Sequence, residues 1–537
     1  MHKCLSINEI FCVVCEHLSS SGPSAESGAL VALAATCRDF KEPALDVLWA
    51  ELDHLGPLIM ALPEDWWEME WDLDDEGDEE RLLIIRRPLG RKQWDRIRYY
   101  SARVQSLEHN DRVQHKFFER ISSSAFTSLS FPPHPSSLFP NLVRLQWKDT
   151  REEVYSFLRV MLGPSLRELH MDLPLIDNPS SSKVARSFLH SIGTLCPSLR
   201  ILCINGPHDH PDYEDAVSDL VLSLGQLTEL RCGFLNLVAF SHLNSLQSLS
   251  ILSVIASRGQ DYSALPEFSV FSDMLELSLR TFGSLEDLMP LLQRFPRHPP
   301  FSMFCARRCT VAEARRFLAY LVNVSNSERS GITIDVQGGD MDWHGQHLFL
   351  SFRDIQPLSK FKNLEILVVA AGVPISLDDG DVMAIASYWP RLRVLNLCGL
   401  TGCGGLSRVT LKGLLALLKY CQYLHFLWIA FDPRPREGLS RGRPGGGVIN
   451  GLAMLDVGDS PIDDPTAVAM VLSDVCPRIE RLGGWSETTW GYDAAHVEEQ
   501  RAKWKEVESL LAAYTAIRKQ ERLWARMEVK GKLANNV

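Results

Sequence analysis

The chain has 537 residues, too many for one compact core, and its 45% apolar and 23% charged residues are ordinary for a globular protein. Its net charge is −12, and the eleven acidic residues of the stretch 64–80 account for most of it, so the remainder has no basic excess suited to nucleic acid. Thirteen cysteines, no secretory leader pattern and no apolar run of about 18 residues predict a cytosolic or nuclear protein that does not cross a membrane.

Residues 1–55 have the apolar spacing of three short helices. The first helix is expected to begin at Ile7 behind a capping Ser6, and the third to run from Cys37 through Trp49. A core this small contributes only roughly a few kcal/mol, so we expect the module to need a partner surface.

Several residues of this module carry a family resemblance: Leu5-Ser6, Glu9-Ile10-Phe11, Cys37-Arg38, Ala44-Leu45 and Leu48-Trp49. They resemble an F-box of the form common in fungal F-box proteins with leucine-rich repeats, although that family has Leu-Pro where this chain has Leu5-Ser6. The resemblance implies docking onto the Skp adaptor of a cullin–RING ubiquitin ligase. By position it implies nine adaptor-facing or supporting residues: Leu5, Ile10, Phe11, Val14, Leu30, Leu33, Phe40, Leu48 and Trp49. The alternative is that these side chains form only the core of a helical cap.

Residues 56–135 are interpreted as a linker that contains the acidic run 64–80. The composition predicts a solvated, partly disordered insert, interrupted by Trp66, Trp67, Met69 and Trp71. A sharper hypothesis is that these apolar side chains anchor the run to a basic partner, or to the downstream basic residues Arg86, Arg87, Arg91 and Lys92.

A phrase with apolar residues at positions x, x+3 and x+5 then recurs about every 28 residues, which is typical of stacked repeats. Its last two positions suit the buried face of a short strand. Clear copies begin at Leu142, Leu166, Leu199, Leu227, Leu246, Met274, Leu364, Leu392, Leu424, Leu452 and Ile479. In the long gap before Leu364, the strand of one degraded copy is predicted at Ile332–Ile334–Val336.

The segments between the phrases have helical spacing, and four of them meet the next strand through an apolar residue followed by proline. These junctions are Phe139-Pro140, Cys196-Pro197, Trp389-Pro390 and Cys476-Pro477. Such units resemble leucine-rich repeats over about two-thirds of the chain. The resemblance implies an irregular α/β horseshoe over residues 136–490, with strands on its concave side. A charged helix in residues 491–537, with a stripe of Val497, Trp504, Val507, Leu511 and Tyr514, is predicted to cap it.

Strand positions between the apolar ones are the candidate target-binding residues, because the pleat turns them outward. We expect the set to include Arg144, Gln146, Arg167, His170, Arg393, Asn396, His425 and Trp428. For each of them an ordinary solvent-exposed face is the alternative. The basic, Gly- and Pro-rich stretch 432–447 is interpreted as a surface loop, with contact to an acidic target as the sharper hypothesis.

Catalytic chemistry finds little support in the sequence. There is no Gly-rich phosphate loop ending in Gly-Lys-Ser/Thr and no Gly-x-Ser-x-Gly motif. Cys12-x-x-Cys15 lacks a second pair at zinc-finger spacing, and His208–Asp212 is interpreted as a polar loop rather than a metal site. We therefore predict no catalytic residues, cofactor or metal.

The combined prediction is a substrate-recognition subunit of a Skp–cullin–F-box ubiquitin ligase. Its F-box-like module would dock the Skp adaptor and its concave face would hold an unknown target protein. Two alternatives remain: a repeat scaffold or inhibitor without a ligase role, and an enzyme with a metal site at the His208 loop.

Overall fold

The structure is a computed structural model of the chain. It describes residues 8–19, 26–73, 79–112, 117–133, 137–174, 179–206, 212–257, 259–268, 274–295, 299–324, 329–339, 349–370, 372–398, 402, 407–434, 447–486, 489 and 492–534. The protein is α/β and is built on a large, mostly parallel sheet. The chain divides into two compact units, Met1–Ile255 and Ala256–Val537. No helix among the described residues is both long and apolar enough to span a bilayer.

Unit 1 begins with the three short helices and continues into alternating strands and helices. Its helices are α1 (Asn8–Ser19), α2 (Glu26–Thr36), α3 (Arg38–Leu48), α4 (Gly56–Met60), α5 (Arg91–Ser101), α6 (Ser123–Leu129), α7 (Tyr155–Met161), α8 (Pro179–Leu195), α9 (Asp212–Leu222) and α10 (Leu237–Leu243). Its strands are β1 (Glu51–Leu52), β2 (Trp67–Leu73), β3 (Glu79–Ile85), β4 (Ser106–His109), β5 (Arg120–Ile121), β6 (Arg144–Trp147), β7 (Glu168–Asp172), β8 (Ile201–Asn205), β9 (Glu229–Phe234) and β10 (Ile251–Ala256).

Seven strands of unit 1 form a parallel ladder in the order β1-β4-β6-β7-β8-β9-β10. One row across this ladder consists of leucines in register, from Leu107 through Leu145, Leu169, Leu202 and Leu230 to Leu252, and all six are fully buried. The ladder therefore includes β1 and β4, which precede the first copy of the phrase at Leu142. Burial of this leucine row against the flanking helices is the main stabilising term of such a stack.

The acidic run is not a disordered insert in its described part. Strands β2 and β3 form an antiparallel hairpin, and β5 adds in parallel to β3. Arg86 and Arg87 form ion pairs of 2.9 Å with Glu68 and Asp65. The prediction of partial disorder was wrong for these residues because composition registers the charges but not the pairing of β2 with β3 or the burial of Glu80 and Leu83 within the hairpin.

Unit 2 repeats the strand–helix alternation. Its strands are β11 (Glu276–Thr281), β12 (Phe301–Cys309), β13 (Gly331–Gly339), β14 (Leu350–Ser351), β15 (Ile366–Ala370), β16 (Ile375–Ser376), β17 (Val394–Asn396), β18 (Phe426–Trp428), β19 (Met454–Asp456) and β20 (Arg481–Gly483). Its helices are α11 (Met289–Leu292), α12 (Val311–Val324), α13 (Phe352–Ile355), α14 (Asp379–Tyr388), α15 (Leu411–Tyr420), α16 (Pro465–Val475) and α17 (Ala494–Ala534). The parallel ladder of this unit runs β11-β12-β13-β15-β17-β18-β19-β20, so the predicted strand at Ile332–Val336 is confirmed as β13.

The proline junctions form the same turn wherever they occur. In each, the backbone N–H of the first apolar residue of the phrase, two positions before the strand, donates to the carbonyl of the residue before proline, as from Leu392 to Trp389 at 3.2 Å and from Leu199 to Cys196 at 3.2 Å. The residues before proline are fully buried: Phe139, Cys196, Trp389 and Cys476. Proline fixes where the helix ends, and its apolar neighbour closes the core at that point.

Helix α17 covers the end of unit 2 and packs on α16 and β20. Four residues of the predicted stripe, Val497, Trp504, Val507 and Leu511, are buried, and the fifth, Tyr514, is half-buried. The indole N–H of Trp504 donates to the carbonyl of Ser460 at 2.8 Å, which anchors the helix to the turn that follows β19. Without this cover the last leucine row would face water.

Candidate interaction surfaces

The N-terminal module of α1, α2 and α3 has a closed core. Phe11, Cys15, Leu30, Phe40 and Ala44 are buried together, and the rings of Phe11 and Phe40 stack at 4.1 Å. Three of the predicted adaptor-binding residues therefore hold the helices together instead of facing outward. A further three, Val14, Leu33 and Leu48, are half-buried. Leu5 lies outside the described residues.

Apolar side chains that do face solvent lie on α1 and α2. Ile10 is 42% exposed and Val13 is 49% exposed, and their spacing of three residues places them on one face of α1. Val31 on α2 is 53% exposed. Of these, the sequence indicated only Ile10, because helical periodicity marks an apolar face without telling which half of it is covered. Val13 and Val31 were missed.

One side of α3 is covered by α5 of the same unit. Trp49, at the end of α3, packs against Tyr100 with ring centroids 4.4 Å apart. Arg103 forms ion pairs with Glu42 and Asp46, and the Tyr99 hydroxyl donates to Glu42 at 2.8 Å. These contacts lower the pKa of Glu42 and attach the module to the rest of unit 1. Trp49 is thus an internal contact of unit 1.

On β6, β7 and β9 the outward face of the unit 1 ladder is polar, and several of its charges are paired with one another. Arg144 forms a 2.5 Å ion pair with Glu168, its neighbour across β6 and β7. Gln146 and His170 are register partners on the same strands and are half-buried. On β9, Arg231 pairs with Glu229 at 2.6 Å. Paired, exposed charges of this kind add little stability, since water competes for each of them.

Three predicted target-binding residues lie in the turns just before their strands, outside the alternation that the sequence assigned to them. These are Arg167, Arg393 and His425, and all three are exposed. Their backbone carbonyls extend the ladder, as in the bond from the His425 N–H to the Arg393 oxygen at 2.9 Å. The residue directly after the first leucine of the phrase still belongs to the turn, so each strand begins one residue later than the sequence analysis assumed.

The outward face of the unit 2 ladder is apolar over several strands. Asn396 and Trp428 are register partners there, and both are half-buried. Next to Trp428 on the same face lies Phe426, with the two rings 6.3 Å apart and inclined by 22°. Sequence reasoning selected Asn396 and Trp428 from this face and missed its other apolar residues, because an outward valine or isoleucine looks like one more core residue.

A buried polar cluster in unit 1 was also missed. His109 and Asp149 are fully buried with 3.6 Å between Nε2 and Oδ2, and the His109 ring lies 4.5 Å from that of Trp147. Arg151 contacts Asp149 at 2.6 Å through Nη2. Burial alone would raise the pKa of Asp149, but His109 and Arg151 lower it to about 2. Arg151 also reaches Asp111 at 3.1 Å. This cluster joins β4 to the turn after β6.

A polar cavity of about 480 Å³ lies between the first turns of α17 and the turns that follow β18, β19 and β20. Trp485 at its wall has φ 51°, in the left-handed region, and its indole donates to the Ser460 carbonyl at 2.8 Å. The Asp432–Arg434 and Glu499–Lys503 pairs on the rim are at 2.8 and 2.7 Å. Asp459, Asp463 and His496 also line the cavity.

Eight of the eleven cysteines that the structure describes are buried. Burial raises the pKa of the Cys196 thiol to about 11 and those of Cys421 and Cys476 to about 12. Cys15 is buried while Cys12 is only half-buried, and among the described residues no group of three or more His, Cys, Asp and Glu has the arrangement of a metal site. The His208 loop lies outside those residues.

Comparisons with known proteins give no further assignment: no protein-family model matches the chain, and no curated protein matches it.

Proposed function

We propose that this protein is a non-catalytic adaptor of a Skp–cullin–F-box type ubiquitin ligase, acting in the cytosol or nucleus. Its N-terminal module would bind the Skp adaptor, and its outward strand face would hold a target protein. The observation that supports this most directly is the solvent-exposed apolar surface of α1 and α2, where Ile10, Val13 and Val31 lie over a closed core. Exposed apolar side chains concentrated on so small a module are typical of a surface that a partner completes.

The mechanism would be one of proximity. An adaptor that holds its target beside a recruited ubiquitin-conjugating enzyme raises the local concentration of the target's lysines, and the chemistry takes place on the recruited enzyme. This chain needs only two rigid surfaces for that purpose. The buried leucine rows of both ladders and the stacked Phe11–Phe40 pair supply the rigidity.

A scaffold or inhibitor without a ligase role is the second candidate. It is favoured by the contacts of α3 with α5, because Trp49, Tyr99, Tyr100 and Arg103 already give the module a partner within its own chain. In that case the three helices would serve only as a cap.

The test is capture of the full-length protein by a purified Skp adaptor. We expect the double variant Ile10→Asp, Val13→Asp to lose capture by about tenfold or more, because two carboxylates would have to be buried against apolar partner side chains. Both positions are exposed, so the variant should fold normally. Val238→Asp on α10, where the valine is 63% exposed, is the matched control and should bind like the wild type.

Two results would contradict the proposal. Wild-type protein that does not bind the Skp adaptor would favour the scaffold. Full capture by the double variant would remove α1 from the interface. Phe11→Ala is a poor test in comparison, because loss of a buried aromatic ring costs about 3–5 kcal/mol and would unfold the module whatever its function.

A further inference from the structure

Two consecutive outward positions on each of five neighbouring strands in unit 2 carry no charged residue. Strands β12, β13, β15, β17 and β18 lie side by side, and each presents two outward side chains that flank a buried one. We call these ten residues the apolar strip: Phe301, Met303, Gly331, Thr333, Ile366, Val368, Val394, Asn396, Phe426 and Trp428. Large apolar side chains occupy all of its positions except three, which are glycine, threonine and asparagine.

The strip is reachable from solvent and nearly continuous. Phe426 is 42% exposed, and the other members are half-buried apart from Gly331. Gly331 has no side chain, and the Phe301 ring occupies the space beside it: a Cβ added at Gly331 would lie 2.4 Å from that ring. The Phe301 ring thus bridges from β12 over β13 towards Ile366, and no polar gap interrupts the row.

The core does not require these side chains. The inward residues of the same strands, among them Ile332, Leu367, Leu395 and Leu427, are fully buried on the opposite face. In unit 1 the inward leucines are just as buried, yet the corresponding outward positions carry charges such as Arg144 and Glu168. The stack therefore tolerates charge at the outward positions, and the apolar choice in unit 2 points to binding.

The size of the strip limits what can cover it. Four steps of about 4.8 Å separate β12 from β18, so it is about 19 Å long, and two outward residues on a strand are about 7 Å apart. Its area of a few hundred Å² is well below the ~800 Å² per partner of a stable dimer. An extended peptide spans it with about six residues at roughly 3.3 Å each. One short segment fits, whereas a second copy of the chain would need much more surface.

Charge decides the chemistry of that segment. A lysine or aspartate side chain placed on the strip would lose its water and find no opposite charge within the strip, at a cost of several kcal/mol. Charged groups surround the strip: Asp335 lies two residues beyond Thr333 on β13, and Glu276 and Asp456 lie on the neighbouring strands β11 and β19. Aromatic anchors such as Phe426 and Trp428 commonly carry most of the affinity at such surfaces.

We propose that the apolar strip binds an extended, uncharged segment of about six aliphatic and aromatic residues in the target protein. The identity of the strip as a target site rests on the proposed adaptor function, whereas its preference for apolar peptide does not.

The experiment selects hexapeptides displayed on phage against the full-length protein and then measures the affinity of one selected, fluorescently labelled peptide. We expect sequences rich in Leu, Ile, Val and Phe, and an increase in Kd of about tenfold or more for Phe426→Asp. Met383→Asp on α14, where the methionine is 48% exposed, is the control and should leave Kd unchanged. Urea unfolding checks that Phe426→Asp folds, and Met303→Asp replaces it if it does not.

Selection of charged peptides, or equal Kd for the wild type and both strip variants, would overturn the proposal. So would a dimer in sedimentation that Phe426→Asp dissociates, because the occupant would then be a second copy.

Skp capture separates the two proposals. If Phe426→Asp loses the peptide but keeps the Skp adaptor, both stand. If the wild type binds peptide on the strip but not the Skp adaptor, only the adaptor function fails. If the wild type binds the Skp adaptor but no apolar peptide, only the strip fails.

Discussion

Asp149→Ala is expected to lower the free energy of unfolding of unit 1 by about 3–5 kcal/mol, because it leaves the Arg151 guanidinium partly buried without its main partner. Arg151 donates to Asp149 through Nε at 3.0 Å and Nη2 at 2.6 Å, and its Nη1 donates to the carbonyl of Ile121 at 3.0 Å. Removing the carboxylate therefore loosens both the turn after β6 and the end of β5. Far-UV circular dichroism during urea unfolding measures the change.

The same carboxylate predicts a dependence on acid. Its folded-state pKa of about 2 lies below the usual 3.8, so the folded state favours the ionised form. The stabilisation is complete above the usual value and is lost as the pH falls through about 2. Asp149→Asn should remove this part of the acid dependence. Glu153→Ala, at an exposed neighbouring position, is the control and should change stability by less than about 0.5 kcal/mol. Wild-type stability in Asp149→Ala would mean that the cluster contributes nothing.

Arg329→Met is expected to act in the opposite direction and stabilise unit 2 by about 1–4 kcal/mol. Arg329 is 1% exposed, and within the described residues none of its three guanidinium nitrogens has a hydrogen-bond partner. Its one favourable contact in that part of the chain is with the face of Phe361, whose centroid lies 5.6 Å away. Burial lowers the pKa of Arg329 to about 10. A methionine of similar length would keep the packing and remove the cost of burying a charge.

Thermal unfolding and urea titration measure this effect. Arg307→Met, at an exposed position on β12, is the matched control and should be nearly neutral. The sign of the pH dependence follows from the pKa, which is lower in the folded state than its usual 12.5. The wild type should therefore gain stability as the pH rises from about 10 towards 12.5, and the variant should not. Destabilisation by Arg329→Met would show that the guanidinium has a partner that offsets its burial.

Local patterns along the chain predicted much of the fold. The phrase that begins at Leu392 contains strand β17 with its buried leucine, and the helical segment at Leu411 is α15. The stripe that begins at Val497 is the packed face of α17. These predictions succeeded because each depends on residues within one strand or one helical turn. Periodicity of two or about four residues states directly which side chains share a face.

The surfaces were predicted less well. Ile10 and Phe11 are adjacent in sequence, yet one is exposed and the other packs on Phe40. Trp49 looked like an adaptor contact, but it packs on Tyr100, which is 51 residues further along the chain. The composition of the acidic run predicted partial disorder, whereas β2 and β3 pair as an antiparallel hairpin.

The sequence by itself determined the repeating strand–helix units, their inward leucines and the proline turns between them, because these depend on short-range spacing and on proline's fixed backbone. Only the tertiary structure decided which outward residues become neighbours. Phe301, Ile366, Val394 and Phe426 are far apart in the chain, and they meet in one row only because parallel strands stack in register. A surface built across strands depends on that register, and no single repeat contains the information.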